Sequence, residues 1–125
     1  MLLDASAVLA LLNREPGWVA VKEQVPGALI SAVNLAEVIG KLVDARVPHP
    51  DACAAVDFLG LSVVEFDGEM AREAGRLRAV TRTEGLSLGD RACLATATRL
   101  GVAVLTSDRS WLRLDLGVAV HCLRP

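Results

Sequence analysis

The chain has 125 residues, 53% of them hydrophobic, and a formal net charge of -2 from 13 Lys and Arg against 15 Asp and Glu. That length supports one ordinary domain with a core of its own, and the hydrophobic fraction excludes intrinsic disorder. No stretch reaches the roughly 18 consecutive apolar residues of a membrane span, and the near-neutral charge gives no bulk case for a polyanion partner.

Short β-like runs alternate with helical stretches along the chain. "MLLDA" predicts a strand, and "SAVLALLNRE" a helix ending near Pro16-Gly17. The apolar start "MLLDASAVLALL" is interrupted by Asp4 and has no basic leader or clear cleavage site, so it is not read as a signal peptide. "WVAVKEQV" is a second helical piece, stopping at Pro26-Gly27, and "ALISA" a strand. "NLAEVIGKLVDAR" is a helix closed by Pro48 and Pro50, and "DACAAVDFLG" is another. "LSVVEF" reads as a buried strand, and "GEMAREAGRLRAVTRTEG" as a longer helix ending at Gly85. A helix opening in "SLGDRACLATA", the strand "VAVLTS", a short helical turn "DRSWLRL" and a last strand "VAVHCL" complete the order. Val- and Leu-rich runs bounded by turn residues and separated by helices predict a mainly parallel sheet covered on both faces. The expectation is α/β, one three-layer α/β/α domain over residues 1–125.

Cys53, Cys93 and Cys122 are odd in number and form no CxxC pair. They are expected to be core thiols in a reducing cytosol. His49, beside prolines, and His121, in the last strand, show no ligand spacing. Eleven of the 13 basic residues are Arg, and Arg72, Arg76, Arg78, Arg82 and Arg91 fall within twenty positions. Arg suits phosphate, yet charged helix faces are common.

The acids are more informative. In "SLGDRACLATA" the inward stripe is Asp90, Cys93, Leu94 and Ala97, at offsets of 3, 4 and 7, so a carboxylate opens an apolar face. Asp4 closes the first strand, Asp67 closes "VVEF" and Asp108 follows "VLTS". Glu37 lies one turn into the helix after "ALISA". Ligands of open parallel sheets bind at the carboxyl ends of the strands, where right-handed crossovers also bring helix starts. Several carboxylates can therefore converge on one rim. Each also has a structural explanation: Asp108 and Asp67 as helix N-caps, Ser87 with Asp90 as a capping box, and Glu37 paired with Lys41 at i+4. Converging acids repel and take up protons unless a cation sits among them. Oxygen-only donors select a hard cation, Mg²⁺ or Mn²⁺.

These segments, "LLDASAVLALL", "ISAVNLAEV" and "SLGDRACLATATRLGVAVLTSDRSW", resemble the PIN domain, and within it the small VapC-type ribonuclease toxins of toxin–antitoxin pairs. The resemblance runs along essentially the whole chain, and its last segment is the most specific. It implies that Asp4, Glu37, Asp90 and Asp108 form an acidic quartet that is catalytic and holds one or two Mg²⁺ or Mn²⁺ ions per protomer. Ser6 and Thr106 fall on supporting hydroxyl positions, and Ser6 also reads as a helix N-cap. Asn34 falls on a polar supporting position and also reads as an exposed helix-face residue. Arg91 would position RNA or meet the antitoxin, and also reads as a surface Arg. The implied activity is metal-dependent hydrolysis of RNA phosphodiesters by a metal-activated water, in a cytoplasmic homodimer controlled by a cognate antitoxin, away from membranes. The alternatives are a PIN-fold nuclease of RNA maturation, or a PIN-like binding module without activity. A phosphorylated receiver domain would need paired acids after the first strand and a late Lys. This chain has one Asp there and only Lys22 and Lys41.

Overall fold

The computed structural model describes residues 1–124; Pro125, the last residue of the expected domain, lies outside them. Five short strands, β1 (Leu2–Leu3), β2 (Leu29–Ser31), β3 (Ser62–Val64), β4 (Val104–Thr106) and β5 (Val120–Cys122), form one sheet in the order β3-β2-β1-β4-β5. Every pairing is parallel. The intervening helices are α1 (Ala5–Leu12), α2 (Trp18–Gln24), α3 (Ala32–Asp44), α4 (His49–Asp57), α5 (Gly68–Val80) and α6 (Leu88–Leu100), with 3-10 turns at Arg82–Glu84 and Arg109–Arg113.

Successive strand residues face opposite sides of a sheet, so the adjacent Leu2 and Leu3 seed two cores. Leu3 joins Val8, Val21, Ile30, Val38 and Leu105 beneath α1 to α4. Leu2 joins Met70, Leu77, Leu94, Val104 and Trp111 beneath α5 and α6. The expected three-layer α/β/α domain with a parallel sheet is thus the observed one. The chain adds strands on one side of β1 up to β3, then crosses to the other side for β4. That reversal places a crevice at the carboxyl end of β1.

Three expectations need correction. "LSVVEF" is not buried: Ser62 is exposed and Val63 is 50% exposed, because β3 is an edge strand with nothing beyond it. The long helix stops at Val80 and not at Gly85. Thr81, a weak helix former, is buried and turns its hydroxyl onto the Leu77 carbonyl at 2.6 Å, and a 3-10 turn follows. Of the cysteines only Cys93, on the inward face of α6, is fully buried. Cys53 and Cys122 lie on peripheral elements and are half-buried.

One glycine, at the start of α2, packs directly against the end of the chain. Gly17 adopts φ +94°, and an added Cβ would lie 2.5 Å from both the side chain and the carbonyl oxygen of Leu123. Gly27 also has positive φ, +76°, but open space around it. Gly17→Ala is therefore expected to lower stability in urea titration by at least about 2 kcal/mol, and Gly27→Ala by about 1 kcal/mol, since only the first adds a backbone clash to the dihedral cost.

Candidate functional site

Asp4 leaves β1 and becomes the N-cap of α1, its Oδ1 accepting from the Ala7 amide at 2.9 Å. A carboxylate only 5% exposed must be satisfied internally. Ser6 Oγ donates to Oδ1 at 2.6 Å and Thr106 Oγ1 donates to Oδ2 at 2.7 Å. Each hydroxyl has one proton to give, and backbone amides fix where it goes. The Ser107 N–H donates to Ser6 Oγ at 3.0 Å and the Asp108 N–H to Thr106 Oγ1 at 3.1 Å, so both hydroxyl protons point at Asp4. Burial nevertheless wins over these hydrogen bonds, and the nearby charge of Asp90 reinforces it: the Asp4 carboxyl is pushed up from 3.8 to about 6.

Asp90 sits in the first turn of α6. Its Oδ2 accepts from the Ser87 N–H at 3.0 Å while Ser87 Oγ accepts from the Asp90 N–H at 3.1 Å, so the capping box is real. The same side chain lines a cleft of about 170 Å³ together with Asp4, Ala5, Ser6, Leu9, Asn34, Glu37 and Lys41. Capping and cleft lining are compatible because the box holds the carboxylate at the rim.

Glu37 reaches the cleft from α3. Asn34 Nδ2 donates to Glu37 Oε1 at 2.7 Å and to the Gly89 carbonyl at 3.1 Å, bridging α3 to the start of α6. Asn34 is 2% exposed, so it is not a solvated helix-face residue: the cleft lies on that face. Its Oδ1 is buried without a partner among the described residues. Gly89 leaves room for the Glu37 carboxylate in this position, because an added Cβ would overlap it and push it aside. On the buried face of α6, burial first and then the fields of Asp4, Asp90 and Glu37 raise the Cys93 thiol well above its ordinary value. Three acids from three elements thus act on one buried point.

The remaining predicted residues fall elsewhere. Asp108 does not line the cleft; it is exposed and caps the last 3-10 turn, Oδ1 accepting from the Ser110 amide at 2.9 Å and hydroxyl at 2.7 Å. Its amide, through Thr106, still supports Asp4. Asp67 is the N-cap of α5, accepting from the Met70 amide at 2.9 Å. Arg91 does not line the cleft: its Nη1 donates to the Ala74 carbonyl on α5 at 3.0 Å and its Nε is buried without a partner among the described residues, so it is a packing contact between helices and not a surface Arg. Glu37 and Lys41 form no ion pair among the described residues; the Glu37 carboxylate is held instead by Asn34 at Oε1. Lys41 as a cleft residue, and Gly89 as the residue packed against Glu37, were missed by sequence reasoning. The i+4 spacing from Glu37 and the position directly before Asp90 were the available signals.

Among the described residues, no three carboxylate, imidazole or thiol side chains already meet as a formed metal cage. The donor chemistry nonetheless fits a hard divalent cation: carboxylate oxygens from three elements, one with a raised pKa, and an orphaned amide oxygen beside them.

A family model described as PIN domain matches residues 1–116. Among curated proteins none matches the chain. Solved structures match its fold. A chain of VapBC2 from Rickettsia felis, bound to a DNA fragment from its promoter, superposes with a TM-score of 0.77 at 18% identity, over 97% of this chain and 96% of that one. A chain of a toxin–antitoxin complex from Klebsiella pneumoniae gives 0.75 at 18% identity, over 98% and 96%. A chain of VapBC-5 from Mycobacterium tuberculosis, of the VapBC family of toxin–antitoxin systems, gives 0.65 at 23% identity, over 99% and 97%.

The raised Asp4 pKa sets a pH dependence. Below 3.8 the residue is protonated in both the folded and the unfolded chain, and across 3.8 to about 6 the folded chain holds a proton that the unfolded chain has lost. Stability of the metal-free protein therefore falls as pH rises through that window, and above it the buried charge costs roughly 3 kcal/mol. A cation that favours the ionised form offsets this cost, so the Mg²⁺-induced rise in Tm should grow between about pH 5 and about pH 7. In Asp4→Asn the rise should stay flat with pH, as read by calorimetry. By calorimetric titration, Gly89→Ala should weaken Mn²⁺ binding about tenfold or more by displacing Glu37.

Proposed function

This chain belongs to the PIN-domain family, and we propose that it is a Mg²⁺- or Mn²⁺-dependent endoribonuclease acting as the toxin of a toxin–antitoxin pair. The observation that carries the proposal is the meeting of Asp4, Glu37 and Asp90 in one cleft at the carboxyl end of β1. Its likeness in fold to chains of toxin–antitoxin complexes supports the toxin role. The proposed unit is the whole of residues 1–125, acting in the cytoplasm. Among the described residues no helix is long and apolar enough to cross a membrane.

One or two cations would be held by Asp4, Glu37 and Asp90, with Asp108 contributing from the adjoining rim. When bound, such a cation lowers the pKa of a coordinated water and offsets charge developing on a phosphodiester. The chain's own residues prepare the site. Ser6 and Thr106 hold both oxygens of Asp4 in one orientation and favour its ionised form against burial. Asn34 fixes Glu37 on the opposite wall, and the capping box fixes Asp90. At neutral pH Asp4 is ionised, since its pKa of about 6 lies below that pH. One acid of the set would orient or deprotonate the attacking water.

The proposed partners are a cognate antitoxin and a second copy of the chain. A groove of about 490 Å³ between α1, α2 and the end of α4 supports the first: Trp18 and the 90% exposed Phe58 lie along it, with Arg14 and Lys22 beside the Trp18 ring. Such a surface fits an amphipathic segment carrying acids.

The test is cleavage of total RNA by the purified, antitoxin-free protein with Mg²⁺ or Mn²⁺. Cuts are expected that disappear with chelator and fall at least about 100-fold in Asp90→Asn, which keeps the cap geometry and removes the charge. Cleavage surviving both changes would rule out the proposed mechanism.

A further inference from the structure

A cleft walled by carboxylates repels the polyanion it is proposed to cut, and a bound cation offsets that repulsion only at its own position. RNA needs a further positive group where its backbone enters. Among the described residues one basic side chain lines the cleft, Lys41. It stands on α3 one turn beyond Glu37, is exposed, and makes no ion pair among the described residues. Asn34 Nδ2 holds Oε1 of the neighbouring Glu37, and among the described residues no ion pair joins that carboxylate to Lys41. Several of the arginines are engaged elsewhere: Arg76 with Glu73, Arg99 with Asp67 and Glu69, and Arg124 with Glu15. The chain carries only two lysines beside eleven arginines, and one of them stands at the acidic cleft.

We propose that Lys41 is a substrate-binding residue that receives an RNA backbone phosphate next to the bond being cut. The inference rests on the ribonuclease reading and adds to it the group that binds the substrate backbone. A lysine suits this position. Its ammonium is a compact point charge on a flexible stem, able to follow a moving phosphate. The contact is with phosphate and carries no base information, so it acts on every RNA sequence alike.

The test compares wild type, Lys41→Ala and Lys41→Arg on the RNA that the wild-type protein cuts, with Tm as a check on folding. Lys41→Ala is expected to raise KM about fivefold to tenfold, with the loss falling on KM and not on kcat, and Lys41→Arg to restore most of it. In an Asp90→Asn background, where cutting is expected to be slow enough for binding to be measured, Lys41→Ala should weaken binding by a similar factor. It should also reduce the slope of log Kd against log salt by about 0.7, the share of one single-strand phosphate contact. Mn²⁺ affinity should not change. Equal KM and equal salt slope in wild type and Lys41→Ala overturn the assignment. So does tighter Mn²⁺ binding in Lys41→Ala with unaltered RNA binding, which would make Lys41 an internal counter-ion, and so does a loss confined to binding of a partner protein. If the wild-type protein cuts no RNA, the parent reading falls and this inference falls with it.

Discussion

The fold turns on one buried charge. Asp4 sits where β1 ends, between β2 and β4, at the point where the strand order reverses. A carboxylate there cannot be left to water, so the chain surrounds it with donors from α1 and from the end of β4. Those donors are themselves held by the Ser107 and Asp108 amides. Satisfying Asp4 therefore ties the start of α1, the end of β4 and the loop beyond it into one unit. Burial is still the larger effect, as its raised pKa records. The chain spends stability to keep an acid in this place, which a purely structural cap would not require.

Around that point the acids serve two purposes at once. Asp90 starts α6 and Asp4 starts α1, each favoured at a positive helix end. Structural role and cleft lining coincide because parallel crossovers put helix starts at the same edge as strand ends. Asn34 and Gly89 then set the distance between α3 and α6, one by bridging and the other by having no side chain. The cleft is as much a product of these two uncharged residues as of the acids.

The architecture was legible in the sequence because apolar runs and turn residues are local signals. The strand order was not: which strand becomes an edge depends on the whole sheet, and "LSVVEF" reads as buried although Val63 faces solvent. Thr81 ended a helix through a hydrogen bond to its own preceding turn, which helical periodicity does not register. In the site, Asp4 and Asp90 stood out because each interrupts an apolar pattern. Asn34, polar on a helix that also carries Glu37, Lys41 and Asp44, gave no local sign that its face would be closed by α6 55 residues later. Lys41 was visible only as a partner for Glu37, and the partner was taken by Asn34. Arg91, adjacent to Asp90, points to α5 because neighbours in a helix face different directions.

Cys93 is fully shielded and its thiol is held protonated by burial and by the acids above it. A thiol in that condition is inert to alkylating and oxidising reagents while the native packing lasts. It becomes reactive only when α6 and the strands beneath it separate. The chain thus carries an internal clock for local opening: each covalent mark on this sulfur counts one excursion of the very region on which the three acids converge.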